Sequence, residues 1–422
     1  MLRPINIAVS PNLEPDDFWL AFKTLITGGD LQAPTKVTQW FKNYFGSRFE
    51  VFTYNSGRSA LYSLLQALGV GEGDEVIVQA FTCVAAIEPI LWCQAKPIFA
   101  DIDANNFNLD PNAALKKITP HTRAIIVQHT FGQPANLAAF VKLCHDKNLL
   151  LIEDCALSLG ATYKEKKVGT FGDVAFFSFG RDKVISSVFG GVALTQDRII
   201  AKKLAEKYES TGPSPRLWVT QQLLQPLITG LALPVYNFWG LGKFIIWLTQ
   251  KTGLLSPVYP EKSVTERPSL FPAKLSHQLA TLALHQLQKL DRFNAHRRMV
   301  AALYFKLLSH ANVKLPPKDK DSIYLRFTIQ TPQAEQLFHQ AQKSGLLLGS
   351  WYSDIITAAD PEDVGYRIGS CPIAESVAEK ILNLPTYPTL SEKQAIKVSE
   401  FIKNHIHQLG HPEQSEGSHI AD

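Results

Sequence analysis

Between residues 50 and 195 the chain alternates short apolar runs with helix-patterned segments, and this alternation limits the fold more than any other feature. The runs Glu75–Ala80, Pro97–Asp101, Ala124–His129, Leu149–Glu153, Val174–Phe179 and Gly191–Thr195 are rich in Val, Ile and Phe, the composition of buried strands. Arg58–Leu68, Val84–Gln94, Pro111–Lys117 and Asn136–Lys147 carry helical patterns between them. The order predicts an α/β fold with a mostly parallel central sheet and helices on both faces. In such sheets ligands gather beyond the carboxyl ends of the strands.

Downstream, residues 273 to 308 predict one long helix or two in series. A strand over Ser322–Gln330, a helix over Pro332–Ser344 and a last helix over Ser391–His407 then make a smaller C-terminal α/β domain. The expected organisation is an N-terminal arm with helices over 1–50, a large domain over 51–272, the long helix and small domain over 273–411, and a disordered polar tail over 412–422.

The large domain is interrupted by an apolar insertion at about 212–262. No charged residue lies between Arg216 and Lys243. Pro226 and Pro234, with several Gln and Thr, argue against a single straight membrane span. Two readings stand for 217–248. One is a pair of short helices packed on the body or at a dimer interface. The other is a peripheral, monotopic membrane contact, because Trp218, Trp239 and Trp247 punctuate the run and lysines flank it.

The net charge is +4 and no basic stripe is evident, so nucleic acid is not expected as a partner. The five cysteines, Cys83, Cys93, Cys144, Cys155 and Cys371, include no CxxC pair, which disfavours a zinc site or disulfide framework. Scattered thiols suit a reducing cytoplasm, and the first residues show no signal-peptide pattern. No metal site is expected.

Four features fall at the predicted active edge. Asn55-Ser56-Gly57-Arg58-Ser59 lies where a strand would meet a helix; Ser-Gly there either caps the helix or presents backbone N–H groups to a phosphate. Asp154 ends the strand LLLIED, where a buried carboxylate needs a cationic partner or caps the next segment, while Glu153 would face the opposite side. In AFFSFGRDKVISSVFGG, Lys183 is either a solvated surface amine or a covalent one that forms an imine with an aldehyde. Lys164 and Lys167, in a polar hairpin-like stretch, are poorer candidates. His129 and Gln133 sit at another strand end, where His129 either touches a ligand or fills the core. The order Ser-Gly, strand-end Asp, Ser-x4-Lys, Gly-Gly meets the needs of pyridoxal 5'-phosphate chemistry: a phosphate held, a ring nitrogen protonated and an imine lysine supplied.

Over nearly its whole length the sequence resembles the DegT/DnrJ/EryC1/StrS family of sugar aminotransferases, which have the type I fold of pyridoxal phosphate enzymes. The segments that carry the resemblance are NSGRSALYSLLQALGVGEGDEVIVQAFTCVAA, PIFADIDANNFNLDP, TRAIIVQHTFGQPANL, LLLIEDCALSLGATYKEKKVGTFGDVAFFSFGRDK and CPIAESVAEKILNLPTYPTLSEKQ. The resemblance implies that Lys183 is the Schiff-base lysine and Asp154 the pyridinium partner, and that Ser178, Ser56 and Gly57 contact the phosphate. Arg58, Phe81 and Cys83 complete the expected cofactor site.

Three positions depart from the family pattern. Leu157 stands where Gln usually touches the cofactor's phenolic oxygen. Cys83 takes the place of an aromatic ring, with Phe81 two residues earlier. Pro272 falls where a cross-subunit Asn often meets the phosphate, with Lys274 nearby. The resemblance implies a homodimer that aminates a keto sugar, nucleotide-linked in expectation, with an amino donor such as glutamate. Alternatives are a sugar dehydratase of the same fold, where the family replaces the lysine by His, and a catalytically impaired regulatory relative.

Overall fold

The computed structural model describes residues 4–7, 10–256 and 264–409; the predicted tail at 412–422 and part of the apolar insertion lie outside them. Helices α1 (Pro15–Thr27) and α2 (Ala33–Phe45) lead into a seven-stranded sheet. Its strands are β1 (Glu50–Tyr54), β2 (Glu75–Gln79), β3 (Lys96–Ala100), β4 (Thr122–Gln128), β5 (Leu150–Asp154), β6 (Val174–Ser178) and β7 (Gly191–Thr195). Across the sheet they run β1-β7-β6-β5-β4-β2-β3. β7 is antiparallel to both β1 and β6, and the remaining pairs are parallel, so the carboxyl ends of the other six strands share one edge. Helices α3 (Gly57–Ala67) and α4 (Leu137–Lys147) flank the sheet. One apolar core joins its strands to α2 and α3, with Phe41, Leu64, Ile77, Ile126 and Phe177 fully or nearly fully buried.

A second core belongs to the C-terminal part. The predicted 273–308 helix forms as two, α7 (His277–Leu287) and α8 (Leu290–Leu307). It starts at Ser276, whose Oγ accepts the Leu279 N–H at 3.3 Å; Lys274 before it is extended and bridges to Tyr54. β8 (Phe327–Gln330) pairs antiparallel with β9 (Ile381–Leu384), against α8, α9 (Ala334–Lys343) and α10 (Glu392–Leu409). The predicted strand over Ser322–Gln330 is shorter because Tyr324 turns left-handed at φ 48° and Ile323 N–H is spent on the Gly132 carbonyl.

The predicted helix over Val84–Gln94 is likewise corrected: a single turn at Val84–Ala86 is followed by a five-residue helix, Glu88–Trp92. Pro89 has no N–H to continue the first turn, so the helix restarts with the proline in its first turn.

The apolar insertion forms two helices, α5 (Arg216–Ala232) and α6 (Leu241–Lys251). Pro226 sits within α5. Phe18 of α1 packs on Gly230, where a Cβ would lie 2.7 Å from its ring. α6 folds back on the end of α5 through Gly242, where a Cβ would fall 2.2 Å from the Ala232 carbonyl oxygen. Among the described residues no helix is long and apolar enough to cross a membrane.

Candidate active site

The sheet edge that holds the strand carboxyl ends also gathers the side chains able to do chemistry. β1 runs through Asn55 to Ser56, which caps α3: its Oγ accepts the Ser59 N–H at 3.1 Å, while Ser59 Oγ donates to Asn55 Oδ1 at 2.6 Å. The cap and the phosphate reading of Ser-Gly are therefore compatible. The first N–H groups of a helix lack intrahelical acceptors, and the helix dipole favours an anion beside them. Two glycines shape this cradle. A Cβ at Gly57 would lie 2.9 Å from Ser178 Cβ and 3.2 Å from its Oγ, and one at Gly191 would lie 2.4 Å from the Ser56 carbonyl. Side chains at either position would fill the space where β6, β7 and α3 meet.

Lys183 follows Ser178 in a tight loop, and its stem folds over Gly180, where a Cβ would come 3.2 Å from Lys183 Cγ. The register sets Asp154 beside Gln128 of β4 and Phe176 of β6. Ser178, two residues beyond Phe176, therefore shares a sheet face with Asp154. The Asp154 carboxylate is buried and accepts the Ala156 N–H at 3.0 Å. Burial pushes its pKa up, and the Ala156 N–H, Lys183 and His129 pull the other way. Such a carboxylate has strong reason to accept a cation placed against it.

The other predicted residues make the following contacts. Arg58 pairs with Glu88 at 2.9 Å and lies 4.6 Å over the Phe271 ring; breaking such a buried pair costs about 3–5 kcal/mol. Phe81 is fully buried, edge-on to Tyr352 at 5.2 Å and close to Phe107 and Phe131. Cys83 is half-buried and bridges to Thr357. His129 fills the core: its Nδ1 accepts the Ala135 N–H at 3.1 Å, so Nε2 carries the proton toward Glu153, 3.2 Å away. Glu153, on the face opposite Asp154, accepts the N–H groups of Gly169, Phe171 and Gly172. Gln133 is buried, and its backbone carbonyl accepts from Asn108 Nδ2 at 3.2 Å. Leu157 is buried in the main core. Pro272 and Lys274 lie on the segment that Asn55 binds, through Nδ2 to the Leu270 carbonyl at 3.0 Å and through its N–H to the Ala273 carbonyl at 2.9 Å. Lys164 and Lys167 lie in a short hairpin, with Lys167 Nζ 3.8 Å over the Tyr44 ring.

Several residues around Lys183 were not anticipated. Asn12 donates to the carbonyls of Lys183 at 2.7 Å and Val184 at 3.2 Å. Arg297 of α8, fully buried, donates to Val184 O at 2.7 Å, Asn12 Oδ1 at 3.1 Å and Asn294 Oδ1 at 2.8 Å. Asp182 lies 4.0 Å from Lys183 Nζ and pairs with Arg326, which stacks 3.6 Å from the Trp351 ring centre. Burial raises the Asp182 carboxyl, but Lys183 and Arg326 outweigh it and hold the carboxyl below its ordinary value. A lone arginine in the apolar run SIYLRFTIQ was a readable sign of a buried ion pair. Nothing local marked Asn12, Arg297 or Tyr352, because their roles depend on distant segments meeting.

Comparisons with known proteins bear on the fold and the family. The chain is 29% identical over 378 residues to GDP-perosamine synthase of Escherichia coli O157:H7, covering 86% of this chain and 88% of that protein. It is 28% identical over 356 residues to UDP-N-acetyl-3-dehydro-alpha-D-glucosamine 3-aminotransferase of Acidithiobacillus ferrooxidans, covering 83% of each. The solved structure of DesV from S. venezuelae superposes with a TM-score of 0.71 at 25% identity, over 93% of this chain and 94% of that one. The sequence model of the DegT/DnrJ/EryC1/StrS aminotransferase family matches residues 23–224 and 256–403. With the type I fold around a mostly parallel sheet and an aminotransferase pattern along most of its length, the chain belongs to the DegT/DnrJ/EryC1/StrS aminotransferase family.

Proposed function

We propose that this aminotransferase converts a nucleotide-linked keto sugar to the amino sugar, with an amino acid such as glutamate as donor and pyridoxal 5'-phosphate as cofactor. The observation that carries the reading is the buried Asp154 carboxylate under the influence of Lys183, beside a glycine-shaped helix N-terminus. The relatives support it, since both named ones make or act on nucleotide sugars.

The residues fit that cofactor. Ser178, Ser56 and the N–H of Gly57 would hold its phosphate, and Asp154 would meet the ring nitrogen and keep it protonated. Bound there, the cofactor supplies an electron sink for the bond broken at the donor's α-carbon. Lys183 is the amine that would carry the cofactor and, once released, move the proton at its Nζ. Asp182 and Arg326 fix the residue before Lys183, and Asn12 and Arg297 fix its carbonyl and the next one, so the amine is presented from a held backbone. Cys83, bridged to Thr357, would line the cofactor site where the family has an aromatic ring. The active unit is a homodimer, which would bring a partner's segment to the open side of the cradle.

Lys183 also favours transamination over dehydration, which the family runs with His at that position. The test is to mix the protein with pyridoxal phosphate and glutamate and screen nucleotide-linked keto sugars for amination. Lys183→Ala is expected to lose the imine absorption band and to slow amination by roughly a thousandfold or more. An unchanged spectrum and rate in that variant would refute the assignment.

A further inference from the structure

The helix pair α5–α6 presents a surface that the enzyme's chemistry does not use. The family's sequence model matches up to residue 224 and resumes at 256, so the second half of α5, the turn and all of α6 are additions to the shared frame. α6 is amphipathic, and only Gly242 within it is buried. Such a helix gains stability when its apolar side meets something apolar. Phe238, Trp239, Leu241, Phe244, Trp247 and Leu248 are exposed instead, and Trp239, at the tip of the turn, is 96% exposed. The tip holds that ring outward through consecutive left-handed residues, Trp239 at φ 50° and Gly240 at φ 74°.

Charge decides what the face meets. From residue 211 to 260 the sequence contains no Asp or Glu, and its charged residues are Arg216, Lys243 and Lys251. Lys243 lies 5.4 Å from the Tyr236 ring centre and Lys251 4.9 Å from that of Trp247, so each ammonium stands at the border of the aromatic surface. Aromatic rings flanked by lysines, without carboxylates, are the composition of a helix that lies in a bilayer interface. A two-fold contact with a second copy would set this cationic face against itself, with no carboxylate from the segment to neutralise it. An anionic lipid surface supplies the missing charge.

We propose that α6 and the turn before it dock this enzyme on an anionic phospholipid bilayer, with Trp239, Phe244 and Trp247 entering the interface and Lys243 and Lys251 meeting lipid headgroups. The contact is peripheral. It adds a location to the proposed function without entering its chemistry, and it can be measured with no sugar substrate present.

The experiment is flotation of the full-length protein with phosphatidylcholine vesicles, alone or with about one-third phosphatidylglycerol. Wild type is expected to float with the anionic vesicles, less so at high salt, and with a blue shift of tryptophan fluorescence. Phe244→Glu/Trp247→Glu is expected to weaken binding at least tenfold at an unchanged melting temperature. Should that variant melt early, Lys243→Gln/Lys251→Gln on exposed positions carries the same test and is expected to weaken binding roughly tenfold. Wild type that stays in the soluble fraction overturns the proposal, as does binding that survives both variants. Loss of dimer mass in the glutamate variant, without vesicle binding by wild type, assigns the face to a second copy and also overturns it.

Discussion

The Lys183 loop and the α5–α6 pair depart from ordinary protein composition in opposite directions. Around Lys183, charged groups are buried: Asp154, Arg297 and Arg326 are each less than 5% exposed. On α6, large apolar groups are exposed, with Trp247 and Phe244 about half open to solvent. Burying charge is costly and leaving aromatic surface in water forgoes burial, so each region gives up stability on its own. The two buried arginines are answered within the chain, by Asn12, Asn294, Asp182 and backbone carbonyls, while the Asp154 carboxylate accepts the Ala156 N–H. The exposed rings have no such answer within the described residues. Under the function and the docking proposed above, the first region holds a small molecule and the second meets a surface.

Three measurements break or sharpen this contrast. The largest effect is expected from Asp154→Ala, which removes the buried carboxylate proposed to meet the cofactor's ring nitrogen. Proton abstraction is expected to slow by about two orders of magnitude, read by single-turnover kinetics, with folding retained. A near-normal rate would remove Asp154 from the mechanism.

Gly242→Ala acts on the second region. Its new Cβ would collide with the Ala232 carbonyl and, at 2.5 Å, with Tyr236 Cα, forcing α6 away from α5. The expected cost is about 1–3 kcal/mol, measured by denaturant unfolding, with amination retained. Equal losses in stability and in amination would show that the two regions are not separable.

The smallest effect concerns the base on which the helix pair rests. Glu14 caps α1 and is bound by both guanidinium nitrogens of Arg292, at 2.8 and 2.6 Å, and by Lys289 at 3.0 Å. The hydrogen bond from Arg292 and the pull of Lys289 hold its carboxyl below the ordinary value, against burial. A carboxylate lowered in the native state stabilises above its unfolded pKa, here near 4.5, and loses that contribution as pH falls through its native value. Glu14→Gln is therefore expected to flatten the fall of melting temperature below pH 4.5 while changing activity at neutral pH little. An identical acid profile would show that the pair contributes nothing measurable.

Much of this architecture was legible in the sequence, for physical reasons that differ from residue to residue. The strand–helix alternation located all six predicted strands of the sheet within one or two residues at each end, because buried runs are locally apolar. β1 was only implied, and β9 was missed, since ILNL is too short a run to stand out beside the Pro and Thr that follow. Among the proposed site residues, Asp154 stands out because a carboxylate ending an apolar strand is locally anomalous, whereas Lys183 lies in a loop beyond Ser178 and is marked by the Ser-x4-Lys order and the family resemblance. Asp182 was hidden by adjacency, since a carboxylate beside a lysine reads as an ordinary solvated pair. Arg297 was hidden by its helix, where an arginine pattern such as HRR normally faces water; only the tertiary fold turns it inward.

Arg297 carries a consequence for anyone who would trim this enzyme. Its hydrogen bonds reach Asn12 from one end of the polypeptide and Val184 from the middle, while Arg297 itself lies beyond the last strand of the seven-stranded sheet. The amine at 183 is thus steadied by parts separated by nearly three hundred positions. A fragment ending before α8, even if its sheet closed, would present that amine on a slack loop, so the smallest working piece of the molecule includes both its opening arm and the first helices of its second half.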